Sequence, residues 1–139
     1  MDDLIQIKIP ANPKYLKLIR KFVTSICEMA RFSTRQSNQI TLAIDEACTN
    51  IIRHAYGGAT YQPIILLTRI LPDRIRFILR DFGQKADLET IKSRQLEDVR
   101  PGGLGVHLIK SVMDTFEFRH IPNGNELVLE KLFSTSEEA

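Results

Sequence analysis

Residues Arg74 to Asp81 alternate without a break. Ile75, Phe77, Leu79 and Asp81 fall on one side, and Arg74, Arg76 and Arg80 on the other. Period-two alternation makes a strand with one buried face and one face toward water. A sheet of such strands must cover its apolar side, and this chain has helices to do it. Leu4 to Ile9 reads as another half-buried strand, and Ile64 to Leu71 as an apolar strand ended by the Pro72-Asp73 turn. Asn12-Pro13 opens a helix that should run to about Arg31, with Leu16, Ile19, Val23, Ile26, Cys27 and Ala30 inward. Ser33 and Gln36 have capping-box spacing and open a second helix, which Gly57-Gly58 ends. Leu104 to Met113 is helical again. Thr115 to Ile121 and Glu126 to Phe133 are strands joined by the turn Pro122-Asn123-Gly124-Asn125. The order β-α-α-β-β-loop-α-β-β predicts an α+β fold, a two-layer α/β sandwich in which helices back one face of a mixed sheet. The arginine side of Arg74–Asp81 is expected simply to meet solvent.

The chain has 139 residues, enough for one domain with one core. We expect that domain to span 1–133, with 134–139 (Ser-Thr-Ser-Glu-Glu-Ala) as a disordered tail. Hydrophobic residues make up 43% and charged residues 26%, ordinary globular values. A net charge of +2 is too small to argue for nucleic acid. Cys27 and Cys48 sit inside apolar helical patterns and read as reduced core residues. Met1-Asp2-Asp3 is not expected to open a secretory signal, and no apolar run reaches the roughly 20 residues of a membrane span. A cytoplasmic protein is the expectation.

Three features break the apolar pattern. Glu46, Asn50 and His54 recur every four residues, which makes one stripe on a helix beside the apolar residues Ile40, Ala43, Ile44, Ala47 and Ile51. Polar groups placed there are costly unless a ligand or metal compensates them. Asn50 could give an oxygen to Mg²⁺, and Glu46, one turn away, could accept a proton from an attacking hydroxyl. His54 fits a packing or capping role better. Asp81 lies on the core side of its strand, at the strand's end. It could cap the turn at Gly83, or accept from a buried ligand donor such as the exocyclic amine of a nucleobase. Arg100-Pro101-Gly102-Gly103-Leu104-Gly105 precedes a helix. It could be a hinge, or a loop whose backbone approaches phosphate at the helix N-terminus. It is neither a Walker A loop nor a dinucleotide fingerprint.

Taken together, these segments resemble a known family. Glu46-Ala47-Cys48-Thr49-Asn50-Ile51-Ile52-Arg53-His54-Ala55-Tyr56 is similar to the N-box of the GHKL ATPase superfamily. Asp81-Phe82-Gly83 is similar to its first glycine box, and Arg100-Pro101-Gly102-Gly103-Leu104-Gly105-Val106-His107-Leu108-Ile109 to its second. The form Glu-Ala-x-x-Asn-x-x-x-His-Ala-Tyr with Arg-Pro-Gly-Gly-Leu-Gly most resembles the anti-sigma-factor serine kinases. The resemblance implies the Bergerat ATP-binding fold, with a four- or five-stranded mixed sheet and ATP between sheet and helices. It implies Glu46 as catalytic base, Asn50 as Mg²⁺ ligand, and nucleotide contacts at Asn50, Arg53, Asp81, Gly83, Gly103, Leu104 and Gly105. Asp81 would take the adenine amine, and Gln84 to Gly102 would be the ATP lid. It also implies a role in transcription regulation. Such kinases phosphorylate a serine of a STAS-type anti-anti-sigma protein and bind a sigma factor, often as homodimers, with no direct contact to nucleic acid or membrane.

Two positions depart from the family pattern. Ala86 stands where many relatives have an aromatic after the first glycine box. Val128, by sequence position, takes the place of a Thr or Ser near the adenine. Two other readings compete with the kinase: the detached ATP-binding domain of a sensor histidine kinase, and an ATP-gated binding module that transfers nothing. The first fifty residues lack a dimerisation helix bearing a phosphoacceptor histidine, and a pure binder has no need of Glu46. An ordinary protein kinase is excluded by length and by the lack of a His-Arg-Asp loop.

Overall fold

A computed structural model of the chain describes residues 3–85 and 104–133. Its elements are β1 (Asp3–Pro10), a 3₁₀ turn (Pro13–Tyr15), α1 (Leu16–Met29), α2 (Thr34–Asn50), a π-helical turn (Ile51–Ala55), β2 (Pro63–Ile70), β3 (Arg74–Asp81), α3 (Leu104–Val112), β4 (Thr115–Ile121) and β5 (Gly124–Leu132). The strands form one sheet in the order β1-β2-β3-β5-β4. Every pairing is antiparallel, where the sequence suggested a mixed sheet. Three of these pairings join strands adjacent in sequence. The fourth, β3 with β5, is antiparallel because β4 and β5 form a hairpin after α3. The predicted two-layer α+β class holds.

Local chemistry explains the helix ends. Asn12 accepts from the Lys14 N–H and opens the first turn, with Pro13 at its start. α1 closes on Arg31, which takes a left-handed φ of 66° without being glycine. The Phe32 N–H then reaches the Cys27 carbonyl at 3.1 Å and the Arg31 N–H reaches the Glu28 carbonyl at 3.1 Å, the paired bonds of a Schellman motif. Both halves of the Ser33–Gln36 capping box are present, each at 3.1 Å.

The core lies between the helices and one face of the sheet. Ile19, Val23, Ile26, Ile40, Ala43, Ile44 and Ala47 from the helices meet Ile64, Leu66, Ile75, Phe77, Leu79 and Leu129 from the strands. α2 packs against both α1 and α3, so it is the central helix of its layer. Polar bonds between Thr24 and Thr41 (2.9 Å) and between Arg20 and Asp45 (2.9 Å) tie α1 to α2.

The outward face of the sheet is not merely solvated. Glu126 is held by Arg80 (2.6 Å) and Arg119 (2.9 Å). Glu130 is held by Arg76 (2.6 Å) and Arg74 (3.0 Å) and also accepts from the Thr115 hydroxyl. Burial opposes the charge of Glu130, but its bonds from Arg76, Arg74 and Thr115 outweigh that and hold the carboxyl below its usual value. Each isolated pair on such a surface contributes roughly 0–1 kcal/mol, and linking them into a network is what gives this face order. Between the two clamps the register aligns Leu67, Ile78 and Val128 in one cross-strand row.

Candidate functional site

α2 carries Glu46 and Asn50 one turn apart, and both are half-buried. Neighbouring Ala47 and Cys48 are buried, so the backbone that presents the two polar groups is fixed by the core. The second residue of α3, Gly105, is buried directly against Glu46. A Cβ on Gly105 would collide with the Glu46 carboxylate, within 2.7 Å of Cγ and 2.9 Å of Cδ. Real Cβ atoms do not approach so closely, so glycine is what lets the start of α3 lie on the Glu46 side chain. A helix N-terminus presents free N–H groups and a favourable dipole to phosphate. The Glu46 carboxylate therefore meets such a terminus, with Asn50 one turn further along α2.

Gly105→Ala separates fold from chemistry. Glycine inside a helix costs roughly 1 kcal/mol relative to alanine, and the obstructing atoms belong to a side chain that can swing away. We expect an unchanged or raised melting temperature and, with Glu46 displaced from the catalytic-base role that the sequence resemblance implies for it, a loss of about a hundredfold in phosphoryl transfer. Thermal melts and a phosphorylation assay on the same preparation check both halves.

α2 does not continue as an α-helix to the glycines. At Asn50 it gives way to the π-helical turn Ile51–Ala55, in which the Tyr56 N–H bonds the Ile51 carbonyl at 3.1 Å. Inserted π turns are frequent at functional sites. Arg53 and His54 are exposed on this turn. The chain then leaves through Gly57 (φ 73°) and Gly58 (φ 137°).

Asp81 ends β3 on the core side and is only 3% exposed. Its Oδ1 accepts from the Gly83 N–H (3.0 Å) and from the Asn125 side-chain amide (2.9 Å). The turn-capping role is therefore present, and the same buried oxygen also accepts from a side chain of the neighbouring strand. Burial raises the carboxyl's pKa, while the bonds from Asn125 and Gly83 oppose the rise. The Asn125 amide also donates to the Gln84 carbonyl at 2.9 Å. Gly83 packs on the Ala55 backbone, where a Cβ would lie 2.6 Å from the Ala55 carbonyl carbon. The turn after β3 therefore rests on the end of the Glu46 helix.

The register of β5 corrects one expectation. Asp81 pairs with Asn125, so Asn125, Leu127 and Leu129 share the face of Asp81, and Val128 pairs with Ile78 on the outward face. Val128 is not near the candidate base pocket; Asn125 is. β5 begins at Gly124, two residues earlier than the alternation suggested, because Pro122 and Asn123 (φ 69°) alone make the turn. Gly124 in turn packs on the backbone of Asp81 and Phe82. Pairing the hairpin turn with the end of β3 was the signal that could have found Asn125.

Of the other expected site residues, Leu104 opens α3. Gly103, Ala86, the segment Arg100-Pro101-Gly102, most of the expected lid and the 134–139 tail lie outside the described residues. No helix among the described residues is long and apolar enough to cross a membrane. Cys27 and Cys48 are both buried, and burial pushes the Cys27 thiol up to about 12 and Cys48 higher still, so neither offers a thiolate for chemistry. Among the described residues no group of three or more His, Cys, Asp and Glu side chains is placed to hold a metal. Asn50 offers a side-chain oxygen one turn from Glu46, the donor type that Mg²⁺ takes.

Comparison with known proteins identifies the family and the fold. The model of the histidine kinase-like ATPase domain matches residues 9–131. Serine-protein kinase RsbW from several strains of Staphylococcus aureus is 33% identical over 122 residues, covering 81% of this chain and 77% of the kinase. Among solved structures, the RsbU and RsbW domains of a Mycobacterium tuberculosis protein superpose with a TM-score of 0.68 at 16% identity, covering 94% of this chain. This chain spans only 32% of that longer one. The SiaB-SiaC complex of Pseudomonas aeruginosa gives a TM-score of 0.61 at 11% identity, covering 93% of this chain and 88% of the matched one. These two likenesses speak for the fold.

Proposed function

This chain belongs to the histidine kinase-like ATPase domain family, and from that premise we propose that it is an ATP-dependent protein-serine kinase that also acts as an anti-sigma factor. Its substrate is a serine of a STAS-type anti-anti-sigma protein, and its second partner is a sigma factor that it sequesters. It works as a homodimer in the cytoplasm. One observation carries the chemical part: Glu46 lies against the start of α3 at Gly105 and one helical turn from Asn50.

In this reading ATP binds between the helix layer and the sheet. The Asp81 carboxylate receives the exocyclic amine of adenine, a charge-assisted hydrogen bond. Gly83 keeps the floor of that pocket thin, and Gly103, Leu104 and Gly105 bring backbone N–H groups to the phosphates. Arg53 is exposed on the π turn, where its guanidinium is free of the core to contact nucleotide. Asn50 would hold Mg²⁺ through its side-chain oxygen, and the ion would supply charge neutralisation at the phosphates. The substrate serine oxygen attacks the γ-phosphorus as the bond to the β–γ bridging oxygen breaks. Glu46 accepts the serine proton, and ADP and phosphoserine are the products. Such transfer depends mainly on positioning and charge stabilisation, which is why the packing of Glu46 on α3 matters.

The deciding experiment is incubation with Mg-ATP and the STAS-domain proteins of the same cell, followed by mass spectrometry for phosphoserine. One modified STAS protein, with the mark lost when ATP is replaced by a non-hydrolysable analogue, is the expected result. No phosphorylation of any of them, despite ATP binding, would leave a nucleotide-gated binding module.

A further inference from the structure

Tyr56 closes the π-helical turn, and its half-buried ring carries a hydroxyl with two backbone partners. The hydroxyl donates to the Pro63 carbonyl at 2.7 Å and accepts from the Phe82 N–H at 2.8 Å. Pro63 opens β2, and Phe82 stands between Asp81 and Gly83. Beside this bridge the Gln84 N–H bonds the Ala55 carbonyl at 2.7 Å, and Gly83 packs on the same peptide. One end of the bridge is thus the Glu46–Asn50 helix, through Ile51–Ala55. The other is the turn that carries the Asp81 carboxylate.

We propose that Tyr56 is a positioning residue for nucleobase selection: its hydroxyl bolts the Asp81–Phe82–Gly83 turn to the end of the Glu46 helix and so sets where the Asp81 carboxylate meets the base. The inference rests on the ATP-site reading above. The direction of both bonds is fixed, because a backbone N–H can only donate and a carbonyl can only accept. The group at this point must therefore do both, as a neutral hydroxyl does. Burial raises the phenol's pKa, the Phe82 N–H opposes this, and the Asp81 charge adds to the rise. The phenol accordingly keeps its proton, and the donor to Pro63 persists. The π turn has a use in this arrangement. Its wider winding ends the helix with the Ala55 carbonyl and the Tyr56 ring both turned to the strand ends, where they hold the same short segment.

The selectivity argument is electrostatic. A carboxylate set correctly accepts the amine of adenine and repels the carbonyl oxygen that guanine carries at the same place. If the turn drifts, both effects weaken together. Tyr56→Phe is expected to weaken ATP binding about tenfold and to lower the ATP-over-GTP preference about tenfold, as loss of the bond pair allows. Saturating kcat should stay within about threefold of wild type, since the base and the phosphate wall are untouched. In a double-mutant cycle with Asp81→Asn, the two losses of ATP affinity should be less than additive, because Tyr56 acts through Asp81. A core variant of matched melting temperature, Ile19→Val, should leave the preference unchanged. Where Tyr56→Phe does not fold, p-aminophenylalanine at position 56 keeps size and the donor to Pro63 but is a poor acceptor for Phe82, and the same loss of preference is expected. Wild-type preference in either variant, or strict additivity with Asp81→Asn, overturns the proposal while leaving the ATP site standing. A wild-type chain that binds no nucleotide overturns the ATP-site reading, and this proposal with it.

Discussion

Glu46→Gln is expected to bind ATP within about threefold of wild type and to form phosphoserine about 10²–10⁴ times more slowly, the range typical for loss of a positioned general base. Glutamine has the shape of glutamate and fits the slot against Gly105, where even one added methyl on the glycine would collide. What it lacks is the lone pair basicity needed to take the serine proton. Its amide leaves Asn50, the start of α3 and Asp81 in place, so nucleotide affinity has no reason to fall. Equilibrium binding of ATP and single-turnover phosphorylation of the STAS substrate separate the two effects. Full transfer activity in this variant would end the assignment of Glu46 as base. The same pair of measurements distinguishes a kinase from an ATP-gated binder, in which the substitution would change nothing of consequence.

That Glu46, Asn50 and Asp81 stand out is legible in the sequence because each is a polar residue at a position where the period demands an apolar one. The capping box at Ser33 and Gln36 and the alternation of β3 are legible for a related reason: both are local, set by residues within a few positions of each other. What is not legible depends on distance in sequence. Asn125 becomes significant only through its register with Asp81, 44 residues away. The face of Val128 is fixed by the same register, since neighbouring residues of a strand point to opposite sides, and position along the chain alone does not choose between them. The π turn is hidden because its residues, Ile51 to Ala55, continue an ordinary helical pattern; its i to i+5 bonding answers to the strand ends it contacts, and no local composition marks it. The antiparallel sheet is hidden because alternation identifies a strand without naming its partner. The outward arginines look solvated in the sequence because Glu126 and Glu130 lie 46 and 54 residues beyond Arg80 and Arg76.

Asp81→Asn is expected to move binding and stability in opposite directions. The wild-type carboxylate offers adenine a charged acceptor, and hydrogen bonds to charged groups contribute about 1.5–3 kcal/mol, so a neutral amide should weaken ATP binding by roughly 10- to 100-fold. It should also flatten the preference for ATP over GTP. For the empty protein the sign reverses. Burial disfavours the charged form of Asp81, and its folded-state pKa lies above the value it has when unfolded. A raised acid pKa means that the folded chain binds the proton more tightly than the unfolded one. The carboxyl therefore burdens the fold at pH above its folded-state pKa, and that burden lifts as the pH falls through that pKa. The amide of the variant never carries the charge, and its side-chain oxygen could still accept from Gly83 and Asn125. We expect the variant to melt higher than wild type at neutral pH, with the difference shrinking on acidification. Binding of adenosine, whose lack of phosphate removes a competing titration, should weaken in wild type as the pH drops through a midpoint above the ordinary carboxylate range, and should lose that dependence in the variant. A variant that melts lower than wild type at neutral pH would show Asp81 to be a structural cap first. A variant that binds ATP as wild type does would remove it from the base pocket altogether.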